Sequence, residues 1–316
     1  MPDQNIKKKE SNEFGRSVFL KKLAGGVFAG FAIHPILGKV LYSQVHKSNS
    51  GNDMLPKFLS GKDTDSTTVV MMNDLQRALA KPIEQRKWTM LIDIEKCVGC
   101  NACAVACIAE NNLPPGVSYR KVFDAEQGNY PDVKRFFMPT NCMQCEKAPC
   151  IDVANKVIPG AMSRRPDGIV VINYNKFKGK EVFKSASDAC PYHALYYDNG
   201  SYYTQGTPQL EKYEERPVLE YDKQITREEA TGVTRKCHFC AHRLDAGVLP
   251  ACVTTCIGQA MYFGDANDSD SLVSQKIKGQ NTHTVYADEG THPRVIYTYG
   301  MKPAGEVEQT CTSCHE

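Results

Sequence analysis

The chain has 316 residues, with 38 Lys and Arg against 36 Asp and Glu, so its formal net charge is only +2. That balance offers no basic field for nucleic acid, and the length suffices for an ordinary buried core over one or two domains. Its 14 cysteines are therefore not the disulfide framework of a short secreted chain, which needs staples because its core is small.

Charge is uneven at the start, where Lys7, Lys8, Lys9, Arg16, Lys21 and Lys22 precede an apolar stretch from Leu23 to Ile33. That stretch is too short to span a hydrocarbon layer of ~30 Å and has the length of a signal-peptide core. Arg16-Ser17-Val18-Phe19-Leu20-Lys21 resembles the twin-arginine export signal, with Ser17 where the second arginine belongs. No clear A-x-A cleavage site follows, so residues 1–41 read as an export signal or an N-terminal anchor.

Residues 42–87 are polar and broken by Gly51, Pro56, Gly61 and Pro82, with one helical stretch over Val69–Ala80; they form an extension. From Trp88 the pattern changes. Met90–Ile94 is a strand signal running straight into Lys96-Cys97. The small apolar run Ala102–Ile108 predicts a helix that carries Cys103 and Cys107 on one face. Gly168–Ile172 and Ala260–Phe263 predict further strands. Residues 199–235 are rich in Tyr and Glu, lack cysteine and read as an insertion, while 266–310 show little periodicity.

The cysteines carry the chemistry. Cys97, Cys100, Cys103 and Cys107 form a C-x2-C-x2-C-x3-C run; Cys142, Cys145 and Cys150 form a second group; Cys237, Cys240, Cys252 and Cys256 form a third. A twelfth, Cys190, is followed by Pro191. These are iron–sulfur spacings: thiolates two residues apart on a tight turn reach one cubane, and the last cysteine of such a run ligates a different cluster. Zinc is the rival, since C-x2-C pairs also build tetrahedral sites, but zinc pairs seldom continue as so dense a run. Strand, cysteine loop, short helix and strand recur along the chain. The predicted fold is α+β, made of duplicated bacterial-type two-[4Fe-4S] ferredoxin-like units with insertions and long tails.

The chain resembles the four-cluster ferredoxin-type electron-transfer subunits of molybdopterin oxidoreductases and related quinone-linked respiratory complexes. The resemblance runs over about residues 88–300. It is carried by Ile94 to Cys103, Ala109 to Asn112, Cys142 to Cys145, Ala148-Pro149-Cys150, Asp167 to Val170, Lys236 to Arg243, Leu249 to Cys252 and Phe263-Gly264-Asp265. It implies a first cluster on Cys97, Cys100, Cys103 and Cys256, a second on Cys237, Cys240, Cys252 and Cys107, and a third on Cys142, Cys145, Cys150 and Cys190. It divides the chain into a first unit of residues 88–141 with 236–265 and a second, degenerate unit of residues 142–198.

The departures from the family pattern fall together. Lys180, Phe183, Ala186 and Ala154 stand where the family's remaining four cysteines belong, and all four would have served one cluster. Three [4Fe-4S] clusters are expected, with the lost one at an end of the electron path or its gap bridged by another carrier, because an open gap at an inner position would slow tunnelling.

Residues 266–316 form the C-terminal tail, and Cys311-Thr312-Ser313-Cys314-His315 near its end is C-x-x-C-H, the attachment signature of a c-type haem. Cys311 and Cys314 would hold the porphyrin and His315 its iron, with Met301, His292, His283 or a partner residue as distal ligand; a C-terminal zinc hook is the alternative. His238 and His242 read as residues that tune a cluster through hydrogen bonds. No phosphate loop, flavin fingerprint or nucleophile constellation is present, so no catalytic residue is assigned.

The expected protein is a periplasmic electron-transfer subunit without substrate chemistry of its own. Its expected partners are an integral membrane quinone-interacting subunit and a molybdopterin catalytic subunit or multihaem cytochrome c. Export in a folded state through the twin-arginine route suits clusters assembled in the cytosol. A cluster-only subunit serving a molybdopterin chain, with no haem, is the alternative reading.

Overall fold

Small strands gather around helices that bear the cysteines. The computed structural model describes residues 66–207, 214, 217–220 and 223–298, all within one unit, Lys62–Glu316. The expected export segment, the haem motif and Met301 lie outside the described residues.

The extension contributes helix α1 (Thr67–Leu79). Met71, Leu75 and Ala78 recur at helical spacing and are buried, giving one apolar stripe that faces the core. Strand β1 (Trp88–Ile92) is buried along its whole length. It shares a four-stranded sheet with β10 (Met261–Asp265), β11 (Thr282–His283) and β12 (Val295–Thr298), in the order β10-β1-β12-β11. β10 pairs with it antiparallel, Trp88 opposite Asp265, and β12 parallel, Met90 opposite Val295.

The stretch after residue 266, expected to lack periodicity, supplies helix α7 (Leu272–Gly279) and strands β11 and β12. A four-residue strand gives a weak local signal, and β12 owes its place to pairing with a partner some two hundred residues earlier. Buried Asp74 of α1 accepts the Leu272 N–H at 2.7 Å and so caps α7.

Helix α2 (Ala102–Asn111) follows the first cysteines and leads to a hairpin of β2 (Arg120–Gln127) and β3 (Lys134–Asn141), in register from Arg120–Asn141 to Gln127–Lys134. Helix α3 (Pro149–Val157) has proline at its first position, where no intrahelical N–H is missed. A short pair, β4 (Met162–Arg164) and β5 (Val170–Ile172), precedes helix α4 (Lys180–Asp188), which packs on α3.

The insertion carries a hairpin of β7 (Val218–Glu220) and β8 (Lys223–Ile225), flanked by the paired β6 (Tyr196–Tyr197) and β9 (Thr234–Arg235). Buried Asp198 pairs with both Arg227 (2.7 Å) and Arg235 (3.0 Å), fixing the strand that leads into Cys237. Two short helices, α5 (Ala241–Asp245) and α6 (Ala251–Thr254), complete the fold.

Candidate metal centres

The C-x2-C loops share one backbone device. Gly99, Gln144 and Phe239, each two residues after the first cysteine of its loop, have φ of 68°, 51° and 55°. This left-handed turn folds the loop back on itself. Gln144 and Phe239 adopt the turn with side chains, but at Gly99 a Cβ would also meet the Phe137 ring at 2.6 Å, so there the close approach favours glycine.

Helices supply the remaining thiols. Cys103 and Cys107 are buried on one face of α2, which packs against α6, where Cys252 sits just ahead of Cys256. Cys107 lines a cavity of about 290 Å³, solvent-facing space included, together with Cys237, Cys240 and Cys252. Cys142, Cys145, Cys150 and Cys190 line a second, of about 330 Å³ on the same measure. The rest of the second wall is largely apolar, with Met143, Val170 and Leu195, whereas the first mixes Met90, Phe239 and Pro250 with Asn111, Tyr119, Arg120 and His238.

Cys97 and Cys103 each lie within electrostatic reach of Cys256. Burial raises the Cys97 thiol, with Cys256 and Cys100 adding to the shift. Burial likewise pushes Cys103 up to about 11 despite the opposing Arg120 charge, and Cys252, Cys256 and Cys97 push the same way. Cys100 is exposed, and Cys97 and Cys256 are half-buried, so this set reaches the surface. Cys107 thus shares a cavity with Cys237, Cys240 and Cys252, and Cys190 one with Cys142, Cys145 and Cys150.

Burial dominates elsewhere too, taking Cys145 to about 12 and Cys237 to about 11 and raising Cys107, Cys150 and Cys240 strongly. Such thiols resist ionisation unless a cation takes the charge. Among the described residues no three Cys, His, Asp or Glu side chains converge as ligands of a single ion do. The thiols stand around cavities instead, a donor set and spacing that suit an all-thiolate polynuclear cluster.

Comparison with known proteins agrees. The 4Fe-4S dicluster domain matches residues 133–207 and 204–266. The chain is 43% identical to a selenate reductase subunit of Mesobacillus selenatarsenatis over 92% of its own length and 98% of the relative's. The chain belongs to the ferredoxin-type iron–sulfur subunits of the molybdopterin oxidoreductase family. Also similar are the arsenate respiratory reductase iron–sulfur subunit ArrB of a Shewanella species and protein NrfC of Escherichia coli. ArrB is 35% identical over 68% of this chain and 98% of its own; NrfC is 33% identical over 68% and 82%.

The four positions at which the resemblance leads one to expect further cysteines lie on the paired helices α3 and α4. Ala154 of α3 and Ala186 of α4 are completely buried, small enough to let the helices approach. Phe183 lies on the core and 5.6 Å from the Tyr197 ring, while Lys180 is exposed.

The two histidines have protein partners. His238 lines the Cys237 cavity, accepts the Ala241 N–H through Nδ1 at 3.1 Å and is kept neutral mainly by burial. His242 meets Glu110 at 2.9 Å, and Arg243 donates to the same carboxylate at 2.8 Å.

Several polar contacts to the thiols were not singled out from the sequence. Arg120 Nη2 donates to Cys252 Sγ at 3.3 Å, Asn111 Nδ2 to Cys107 Sγ at 3.5 Å and Asn141 Nδ2 to Cys237 Sγ at 3.8 Å. Gln144 ties two loops together, donating to the Cys237 carbonyl at 2.6 Å and accepting the Val170 N–H at 2.8 Å. Buried Lys236 donates to the carbonyls of Val170 and Cys237. Asn111 had a local signal, lying one turn past Cys107; Arg120 and Asn141 had none.

Proposed function

We propose that this chain is a periplasmic electron-transfer subunit holding three [4Fe-4S] clusters. Cys97, Cys100, Cys103 and Cys256 hold the first, Cys107, Cys237, Cys240 and Cys252 the second, and Cys142, Cys145, Cys150 and Cys190 the third. The observation that carries the reading is the grouping of four thiols around each of two cavities, with Cys100 of the remaining set exposed. When bound, such clusters take up and release single electrons; the protein spaces them, dries them and sets their potentials by charge and hydrogen bonding.

Helix pairing supports two ferredoxin-like units. α2 with α6 and α3 with α4 are equivalent pairs: α2, α6 and α3 bear cysteines and Cys190 follows α4, the second pair having lost one site. The second set is central: Cys252 acts on Cys103 of the first, and Cys142 is the strongest-acting thiol on Cys237. The lost site lies beyond the third set, since Ala154 is one helical turn past Cys150, and so falls at an end of the path.

The first set opens on a rim of Val98 (61% exposed), Val105 (65%) and Ile257 (74%), an apolar surface suited to a redox partner. Relatives named as reductase subunits support a molybdopterin catalytic chain there, and NrfC supports a cytochrome partner as the alternative. The other partner is an integral membrane, quinone-linked subunit. Among the described residues no helix is long and apolar enough to cross a membrane. A c-type haem on Cys311, Cys314 and His315 completes the reading, adding a carrier to a chain that has lost one; a cluster-only subunit is the second reading. Reductive titration of the anaerobically purified protein tests the core of it. About three cluster electrons per chain are expected, and a colourless, zinc-bearing protein overturns it.

A further inference from the structure

Arg120 is only 2% exposed, and among the described residues no carboxylate pairs with it. Other arginines of the interior are matched: Arg227 and Arg235 share Asp198, and Arg243 has Glu110. Arg120 Nη2 instead approaches two sulfurs, Cys252 Sγ at 3.3 Å and Met90 Sδ at 3.2 Å, and Nη1 is buried with no hydrogen-bond partner. Burying a cation without a counter-charge is strongly unfavourable. Here the compensating charge can come only from sulfur, and the thiols of two sets supply it. Cys252, Cys237 and Cys107 of the second act on Arg120 together with Cys103 of the first.

We propose that Arg120 is a positioning residue shared by the first and second cluster sites, a single buried cation that raises the reduction potential of both. Its charge offsets the negative charge each gains on reduction, and its Nη2–H stabilises the Cys252 thiolate directly. The charges acting most on Cys145, Cys150 and Cys190 of the third site are other thiols and Lys236, not Arg120. Because both neighbours lean on one cation, reduction of either weakens its hold on the other, so their potentials are linked.

The inference rests on the ligand sets proposed above, and its test separates the two. Full-length protein is purified anaerobically as the natural chain, Arg120→Met and Arg120→Lys, and titrated potentiometrically with EPR detection. In Arg120→Met two of the three midpoints should fall by at least a factor of ten in the one-electron equilibrium, about 59 mV, while the third stays. Arg120→Lys keeps a charge on a shorter, unforked side chain, so its larger shift should come at the cluster held by Cys252. Unchanged midpoints in Arg120→Met, or equal falls in all three, overturn the proposal. Should Arg120→Met not accumulate, Arg120→Lys decides, and three unmoved midpoints there overturn it as well. A natural chain without clusters would instead bring down the ligand assignment.

Discussion

Arg120 and Asn141 are cross-strand partners at the base of the β2–β3 hairpin, and their side chains reach thiols of one set from two sides, Cys252 and Cys237. Hairpin register therefore fixes both contacts at once, since a slip of one residue turns both side chains to the opposite face. Arg120 stands toward the first set of cysteines and Asn141 toward the third, because Asn141 also donates to the Cys142 carbonyl at 2.9 Å.

Asn141→Leu should therefore act on stability and potential together. It strips a buried carbonyl of its donor, a cost of about 1–3 kcal/mol, and removes the N–H aimed at Cys237. Anaerobic chemical denaturation should show a lower midpoint, and redox titration a lower potential for the cluster held by Cys237. An unchanged potential would show that the 3.8 Å contact has no electrostatic weight.

Cys190→Ala tests the reach between α4 and the β3–α3 loop. It should remove or degrade the site formed with Cys142, Cys145 and Cys150, taking iron from about 12 to about 8 per chain. Signals of the other two clusters should persist. Three intact signals would mean that Cys190 ligates nothing.

Ile257→Glu places a charge on the apolar rim beside Cys256. Binding of the catalytic partner should weaken at least tenfold, as expected for losing a buried anchor at an interface, while iron content stays at the natural value. Equal binding by the variant would move the docking site elsewhere.

The tail prediction concerns residues outside the described structure. Protein matured in its native host should carry a covalent haem adduct in its intact mass, abolished or weakened by Cys314→Ser. The same change should leave cluster content untouched and slow electron delivery to the partner. An unmodified tail in native material returns the protein to the cluster-only reading.

The cysteine groups were legible because iron–sulfur spacing is local: Cys103 and Cys107 lie one turn apart, and C-x2-C loops need only a tight turn. Helix α1 and strands β1 and β10 were legible from periodicity to within a few residues. Strand β12 was not, since a short segment paired with β1 from across the sequence carries no local signal. Arg120 escaped for the same reason, its role depending on a cross-strand register and on cysteines as distant as Cys252. The buried Ala154 and Ala186 were legible only as absences, and their packing needed the α3–α4 contact.

The most direct test of three thiolate-held clusters is elemental analysis of the anaerobically purified chain, with iron, acid-labile sulfide and zinc measured against protein. About 12 cluster irons with matching sulfide are expected, plus one iron if the tail carries haem. About 16 cluster irons would restore the fourth site and contradict the packed α3–α4 interface, and zinc in place of iron would contradict the account as a whole.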